Sequence, residues 1–226
     1  MMEKCNYRKD PHQDIDHVFR DLLPAHGMVE RPAQVELSHQ MLDTMLNGSI
    51  ALCDAGTGIG KTYAYLVAGV VFRRYRSRAG LPNQPLLIST SSIALQGAII
   101  HDYLPFLSKV MMADGMLDSP LRAVLRKGKS HYVCDARLMK RLQTANLDRK
   151  NPLAKAALLS MRDHLDLDMA PHLSGYDRER ICVPPTCDCG KTECRYLCYL
   201  DVCASERYAI QVCNHNLLLA DAIHQG

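Results

Sequence analysis

The sequence predicts an α/β protein in which an incomplete parallel sheet carries a phosphate-binding loop and a cysteine-rich, mainly helical insertion. Short apolar runs alternate with helical stretches, which is typical of a parallel sheet. One of these runs leads through a Gly-rich loop into a helix. Six cysteines crowd between Cys182 and Cys203 in a polar stretch that has no strand pattern, and they predict the insertion.

The composition is that of a globular protein with a weakly basic charge. The 226 residues carry a net charge of +3, which permits nucleic-acid binding without arguing for it. Residues 1–16 lack the apolar core of a signal peptide, and no run reaches the roughly 18 apolar residues that a membrane span needs. We therefore expect a cytoplasmic protein with no membrane partner. In that reducing compartment, clustered cysteines predict a metal or iron–sulfur centre rather than disulfides.

The first third of the chain is expected to hold two helices and the strand before the Gly-rich loop. A polar lead-in, residues 1–29, includes a helix over 14–23. A second helix starts near Pro32 and runs until Gly48 ends it. The apolar segment 49–53 then predicts a strand, and the helix after the loop runs to about residue 76.

The remaining strands follow from two further apolar runs and one late return. Segments 85–90 and 122–125 predict buried strands, separated by a helix over 93–107 with a break at Pro105. Segment 209–213 predicts the last strand. The resulting domain organisation is the lead-in, the first part of a nucleotide-binding motor domain at 30–133, the insertion at 134–203 with a helix over 151–164, and the return to the motor domain at 204–226.

The Gly-rich loop is the most specific chemical signal in the sequence, and it reads Ala55-Gly56-Thr57-Gly58-Ile59-Gly60-Lys61-Thr62. Its glycines let backbone N–H groups turn toward an anion, and the helix N-terminus adds positive potential. Lys61 is expected to reach the β- and γ-phosphates, while the Thr62 hydroxyl ligates Mg²⁺. The loop therefore predicts ATP with Mg²⁺, although the strict pattern has Gly where this chain has Ala55.

The cysteines predict a thiolate metal centre of one of two kinds. The Cys-rich segment contains Pro and Gly and can bury little apolar surface, so a bound metal would supply the ordering energy. Four thiolates suit either a [4Fe–4S] cluster or tetrahedral zinc. The spacing lacks the Cys-x-x-Cys pairs of most zinc ribbons, and Cys134 stands apart upstream. For Cys53 and Cys213 we favour small apolar residues within strands.

Several motifs occur in an order that resembles the iron–sulfur-containing superfamily 2 DNA helicases of the DinG and XPD type, nearest to the bacterial DinG-like branch. The resemblance covers about residues 30–226. The motifs that carry it are, in order, Arg31-x-x-Gln34, the Gly-rich loop, Ser89-Thr90 with Leu95-Gln96, Lys127-Gly-Lys-Ser-His-Tyr-Val-Cys134, the Cys-rich segment and Val212-Cys-Asn-His-Asn-Leu-Leu218.

This resemblance implies a RecA-like fold and roles for residues that match the motifs. Arg31 and Gln34 match positions that contact adenine, and Thr90 and Gln96 match positions that face single-stranded DNA. The implied cluster ligands are Cys134, Cys182, Cys187 and Cys194, with Cys189 and Cys198 competing for two of those places. The plainer alternatives are a surface role for Gln34, a strand-end cap for Thr90, and a solvated basic turn around Lys127.

One departure from the family limits the predicted activity. The sequence has no Asp-Glu-x-His box, whose Asp helps to hold Mg²⁺ and whose Glu orients the attacking water. The second motor domain is missing as well. We therefore expect the N-terminal part of an ATP-dependent, 5′-to-3′ helicase of single-stranded or forked DNA, which binds nucleotide but hydrolyses it poorly.

Two other functions fit parts of the pattern. A truncated regulatory module that binds nucleotide and DNA is favoured by the missing box. A zinc-stabilised P-loop NTPase that does not act on DNA fits the loop and the cysteines, but the Lys127–Cys134 motif argues against it.

Overall fold

The computed structural model describes residues 10–145, 147, 151–187, 189 and 194–225. Contacts divide the chain into two compact units. The first unit comprises residues 1–125 and 206–214, and the second comprises residues 126–205 and 215–226. No helix among the described residues is long and apolar enough to cross a bilayer.

The first unit is built on a small parallel sheet of three strands, β1 (Leu86–Ser89), β2 (Ala123–Leu125) and β3 (Ile210–Cys213). Their spatial order is β1-β3-β2, and every residue of the central β3 is buried. Both neighbours pair with β3 in parallel. The three predicted strands and their parallel arrangement are therefore confirmed, and the sheet is compatible with part of a RecA-like fold.

The predicted strand over residues 49–53 is wrong. Among the described residues this segment has no regular structure and pairs with no strand, and the side chains of Ile50 and Leu52 are fully exposed. A strand needs a neighbour that accepts and donates its backbone hydrogen bonds, and an apolar run alone does not supply one. The segment instead leads into the Gly-rich loop without regular structure, and its apolar side chains are exposed to solvent.

The described residues of the first unit include six α-helices besides the sheet. The two long ones are α3 (Pro32–Leu46) and α4 (Lys61–Arg78), which pack against each other. The shorter ones are α1 (Pro11–His17), α2 (Leu23–Ala25), α5 (Ile93–Ala98) and α6 (Leu104–Ala113).

Two π-helical turns explain how prolines fit into continuous helices. Residues Val18–Leu22 join α1 to α2, and residues Ile99–Tyr103 join α5 to α6. Each turn ends two residues before a proline, Pro24 or Pro105. Proline cannot donate to the carbonyl four residues back and its ring crowds that carbonyl, so a wider turn relieves the conflict. The predicted break at Pro105 is therefore wrong, because the chain stays helical through it.

The core of the first unit includes the segment before α3. Ile15, Val18 and Phe19 are almost fully buried in the same cluster as Leu66 of α4. Burial of each such side chain contributes about 1.5–3 kcal/mol. The segment is also tied by charge, because buried Asp14 accepts a 2.9 Å hydrogen bond from the Arg78 guanidinium.

The second unit is helical, as the sequence predicts for the Cys-rich region. Its helices are α7 (Asp135–Thr144), α8 (Pro152–Ser160), α9 (Gly175–Ile181), α10 (Arg195–Ala204) and α11 (His215–Gln225). Isolated bridges such as Val133–Cys182 are its only β-pairing among the described residues. Fully buried Asp177 accepts from Arg141 Nε at 2.7 Å and from the Ser174 hydroxyl at 2.7 Å. This ion pair ties α7 to the start of α9.

The carboxylate of Asp168 makes the stability of the second unit depend on pH. Burial alone would raise the pKa of Asp168, but hydrogen bonds from Lys127 Nζ and Arg178, both at 2.8 Å, outweigh it and lower that pKa. The charged form is therefore favoured by folding. Its contribution is fully present above the unfolded value of about 3.9 and is lost as the pH falls toward the folded pKa.

We expect Asp168→Asn to destabilise the second unit by about 1 kcal/mol at pH 7, after allowance for solvent screening. The difference from the unchanged chain should shrink as the pH falls below about 4. Urea midpoints of unfolding, measured by circular dichroism between roughly pH 2 and pH 7, test this. Asp163→Asn, at an exposed aspartate, is the control. A pH-independent difference would contradict the account.

Candidate functional site

The Gly-rich loop is shaped by two glycines with left-handed backbone geometry. Gly58 has φ of 83° and Gly60, the N-cap of α4, has φ of 88°. Residues with a Cβ rarely adopt this region. A Cβ at Gly60 would also collide with the Gln34 carboxamide, which would have to move away from the loop.

Two side chains from the start of α3 hold the loop from one side. Gln34 is buried, and its Nε2 donates to the Gly60 carbonyl at 2.7 Å. The Arg31 guanidinium donates to the Gly58 carbonyl at 2.9 Å. The predicted adenine-contact pair and the phosphate-binding loop therefore lie together, although they are 26 and 27 residues apart in the sequence. Gln34 is not the surface residue that the plainer alternative expects.

Lys61 lies at the first position of α4 and curls back over the loop. Its Nζ donates to the carbonyls of Ala55 at 2.7 Å and Gly56 at 3.1 Å. Thr62 follows in the first helical turn and is partly exposed. Amides at the start of a helix lack intrahelical partners and attract anions. The exposed Lys61 ammonium and the exposed Arg31 guanidinium add positive charge at the same place.

Ser38 is a further supporting residue of this site, and none of the sequence motifs contains it. Ser38 is fully buried, and its hydroxyl donates to the Ala64 carbonyl in the first turn of α4 at 3.0 Å. It lies four residues after Gln34 and so on the same face of α3. A small polar residue on that face, one turn beyond Gln34, is the signal that could have identified it.

The predicted DNA-contact residues lie together at the carboxyl end of β1. The Gln96 side chain is buried and donates to the Thr90 carbonyl at 2.8 Å. The Thr90 hydroxyl accepts from the Ser92 amide at 3.2 Å, and the Ser92 hydroxyl caps α5. Gln96 therefore fixes the loop between β1 and α5, while Thr90 occupies the turn itself.

The cysteines of the second unit differ in burial, and two of them stand at the N-caps of helices. Cys134 is buried at the N-cap of α7, and Cys194 is half-buried at the N-cap of α10. Cys187 and Cys189 are exposed. A hydrogen bond to Cys187 in which Cys189 keeps its proton, together with the nearby charges of Cys187, Cys134 and Cys194, raises the pKa of the Cys189 thiol to about 11. These four thiols are therefore close enough to interact electrostatically.

Cys182, which we expected among the ligands, contacts residues of α7 and α9. Its thiol donates to the Glu179 carbonyl at 3.4 Å, and Arg137 approaches its sulfur at 3.6 Å. Among the described residues, no three Cys, His, Asp or Glu side chains are arranged to hold a metal ion. The thiols have the right chemistry for iron–sulfur or zinc, but their arrangement does not fit a bound centre, so no chemical step is derived through one.

The Lys127–Cys134 motif has clear contacts within the second unit. Tyr132 is buried against the rings of Tyr196 and Tyr199, and its hydroxyl accepts from the Lys127 amide at 3.0 Å. The Lys127 ammonium lies 2.6 Å from the Asp166 carboxylate. These contacts give the motif a packing role in this unit.

Sequence comparison identifies relatives that are named as ATP-dependent DNA helicases or as 3'-5' exonucleases. The chain is 30% identical over 144 residues to the 3'-5' exonuclease DinG of Bacillus subtilis (strain 168), which is 64% of this chain and 14% of that protein. It is 30% identical over 129 residues to the ATP-dependent DNA helicase YoaA of Haemophilus influenzae, covering 57% of this chain and 18% of the relative. It is 35% identical over 85 residues to the ATP-dependent DNA helicase DinG of Photobacterium profundum, covering 38% and 10%.

The chain thus spans between 10% and 18% of the length of these three relatives. No family model matches the sequence. No solved structure matches it.

We expect Gly60→Ala to weaken nucleotide binding more than tenfold, because the new methyl group strains the backbone and displaces Gln34 (about 1.4 kcal/mol for each factor of ten). Gly80→Ala is the matched control, since Gly80 has φ of 69° but no atom within 4 Å of the added Cβ. Titration with a fluorescent ATP analogue measures both variants. The double variant Gly60→Ala/Gln34→Ala lacks the steric conflict. Its affinity for the analogue should therefore match that of Gln34→Ala, apart from the loss that Gly80→Ala shows for backbone strain alone. Equal losses in Gly60→Ala and Gly80→Ala would refute the Gln34 contact as the cause.

Proposed function

We propose that this chain is the nucleotide-binding part of a DinG-like, ATP-dependent DNA helicase that travels 5′ to 3′. The observation that carries the proposal is the convergence of Arg31, Gln34 and Lys61 on the carbonyls of one Gly-rich loop. That convergence joins the upstream motif to the loop in space, as a nucleotide site requires. The DinG and YoaA relatives support the same class of enzyme.

In this site the chain's own groups bind and orient ATP. The loop amides and the N-terminus of α4 cradle the phosphates, while Lys61 exchanges its carbonyl partners for the β- and γ-phosphates. Thr62 offers its hydroxyl to Mg²⁺, and Arg31 and Gln34 lie on the side where the adenine is expected. The sequence has no Asp-Glu-x-His box to hold the metal and orient water. We therefore propose that this chain binds ATP but hydrolyses it poorly.

Thr90 and Gln96 form the proposed site for single-stranded DNA, with Thr90 as the contact and Gln96 as its support. Ligands of parallel α/β sheets bind beyond the carboxyl ends of the strands, and Thr90 follows the last residue of β1. The buried Gln96 amide holds the Thr90 carbonyl, so it positions the loop rather than meeting DNA itself. Forked DNA is the proposed substrate of the whole enzyme.

We also propose that the second unit holds a metal centre bound by four cysteine thiolates. The ligand set proposed from the family motifs is Cys134, Cys182, Cys187 and Cys194, with Cys189 and Cys198 competing for two of those places, and a bound metal would have to bring these thiols together. Zinc is the alternative to a [4Fe–4S] cluster. A bound centre would order the polar segment that carries the cysteines.

We expect Lys61→Ala to abolish binding of a fluorescent ATP analogue, because the ammonium is the main cation at the phosphates. Lys109→Ala, at an exposed lysine of α6, should bind like the unchanged chain. A phosphate-release assay on the same samples should show little turnover in any of them. Unchanged binding by Lys61→Ala would refute the nucleotide site, and turnover like that of a complete helicase would refute slow hydrolysis.

We expect protein purified without oxygen to contain about four irons per chain and to absorb near roughly 400 nm, as a four-thiolate cluster does. Cys194→Ser should lower the iron content, whereas Cys213→Ser, in buried β3, should not. One zinc and no colour would favour the zinc-stabilised alternative. Protein without iron or zinc would refute the thiolate centre.

A further inference from the structure

Two histidines of the first unit point ring nitrogens at each other, away from the Gly-rich loop and the cysteines. His12 lies in the first turn of α1, and His39 lies in the middle of α3. Their Nδ1 atoms are 2.8 Å apart, although the two residues are 27 positions apart in the sequence. None of the sequence motifs contains either residue. The pair is therefore a separate feature that needs its own explanation.

Each of the two helices supplies one histidine and, four residues later, one aspartate. His12 and Asp16 share a face of α1, and His39 and Asp43 share a face of α3. The contacts cross between the helices. His12 Nε2 lies 3.0 Å from Asp43 Oδ1, and His39 Nε2 lies 3.1 Å from Asp16 Oδ1. Each imidazole ring is thus oriented by a carboxylate of the opposite helix.

These carboxylates decide which ring nitrogens carry hydrogen. An ionised carboxylate can only accept, so each Nε2 must donate, and the Nδ1 of a neutral ring then holds a lone pair. Both Nδ1 atoms consequently present lone pairs to each other at 2.8 Å. Two lone pairs at this distance repel each other unless a positive centre lies between them. The arrangement therefore requires a shared cation, which is either a proton or a metal ion.

The surroundings of the pair favour a metal ion. A histidine that binds a metal almost always donates its other ring N–H to a carboxylate or a carbonyl, which orients the ring and strengthens it as a ligand. Both histidines meet this condition with a carboxylate. Asp16 also pairs with Arg20 at 3.3 Å, so two carboxylates and one guanidinium leave a surplus negative charge beside the neutral rings. That surplus attracts a cation.

We propose that His12 and His39 chelate a divalent transition-metal ion of the Zn²⁺ class through their Nδ1 atoms. Imidazole suits zinc, copper and nickel, whereas calcium and magnesium prefer oxygen ligands. No third Cys, His, Asp or Glu among the described residues joins the pair as a ligand, so water completes the coordination shell. The two imidazole side chains are 31% and 22% exposed, which lets water reach the ion.

The pair needs only a small adjustment to take up zinc. With Zn–N distances of about 2.0–2.1 Å and tetrahedral geometry, the two nitrogens stand about 3.3 Å apart, so the rings must separate by about half an ångström. The helix α1 is held nearby, because Ile15 is fully buried and Asp14 is bonded to Arg78. A bound ion would clamp α1 to α3. The inference does not rest on the proposed function, since its residues belong to neither the nucleotide site nor the thiolate centre.

The test is NMR of the whole chain with ¹⁵N-labelled histidine rings, titrated with Zn²⁺ alone near neutral pH. This readout follows each imidazole separately, so zinc taken up by cysteine thiolates does not obscure it. We expect the Nδ1 signals of His12 and His39 to shift together. His12→Ala and His39→Ala should each abolish the shift of the remaining ring, whereas His101→Ala, at an exposed histidine, should preserve both shifts. Circular dichroism checks that each variant is folded.

The supporting carboxylates are tested in the same titration. Asp43→Asn should weaken zinc binding at these two rings about tenfold or more, the usual effect of removing a carboxylate that orients a metal-bound histidine. Glu36→Gln, at an exposed glutamate of the same helix, is the charge-matched control and should leave the titration midpoint unchanged.

Three outcomes would overturn the proposal. Ring signals that do not respond to Zn²⁺ would show that the shared cation is a proton only. A zinc-induced shift of one ring that survives loss of the other would show a single ligand rather than a chelate. Equal effects of Asp43→Asn and Glu36→Gln would show that zinc responds to the overall charge of α3 and not to this site.

Discussion

The proposed nucleotide site depends on one close contact, the approach of the Gln34 amide to the backbone of Gly60. Because Gly60 has no Cβ and adopts a left-handed conformation, Gln34 can reach its carbonyl. That contact fixes the junction of loop and α4, and therefore the direction of the helix N-terminus. Arg31 and Lys61 then have loop carbonyls to bind, and Ser38 secures the next turn. Removal of the first contact would loosen all the others.

The second unit uses buried charge in a comparable way. Asp177 takes part in capping α9 and pairs with Arg141 of α7, so one carboxylate joins two helices. Breaking a buried pair of this kind leaves an uncompensated charge, which is strongly destabilising. The same pair keeps Arg141 near the ring of Tyr176. The ion pair therefore also positions the guanidinium group that lies over this ring.

Local patterns predicted most elements, and contacts between distant segments explain the failures. The strands at 86–89, 123–125 and 210–213 follow from short apolar runs with neighbours in the sheet. The run at 49–53 has the same apolar character but no neighbour among the described residues, and sequence patterns do not reveal pairing. At Pro105 the rule that proline breaks a helix fails, because the preceding π turn absorbs the conflict. The loop and Gln34 follow from motif spacing, whereas the His12–His39 pair arises only when α1 and α3 meet.

The uncovered segment at residues 49–53 has a thermodynamic consequence for the loop it feeds. An extended stretch without hydrogen-bonded neighbours retains conformational freedom, and closing the loop around a nucleotide must restrict it. Any partner strand that paired with this segment would restrict it beforehand. Nucleotide affinity and strand pairing are therefore coupled through shared chain entropy, and each should strengthen the other by the same factor.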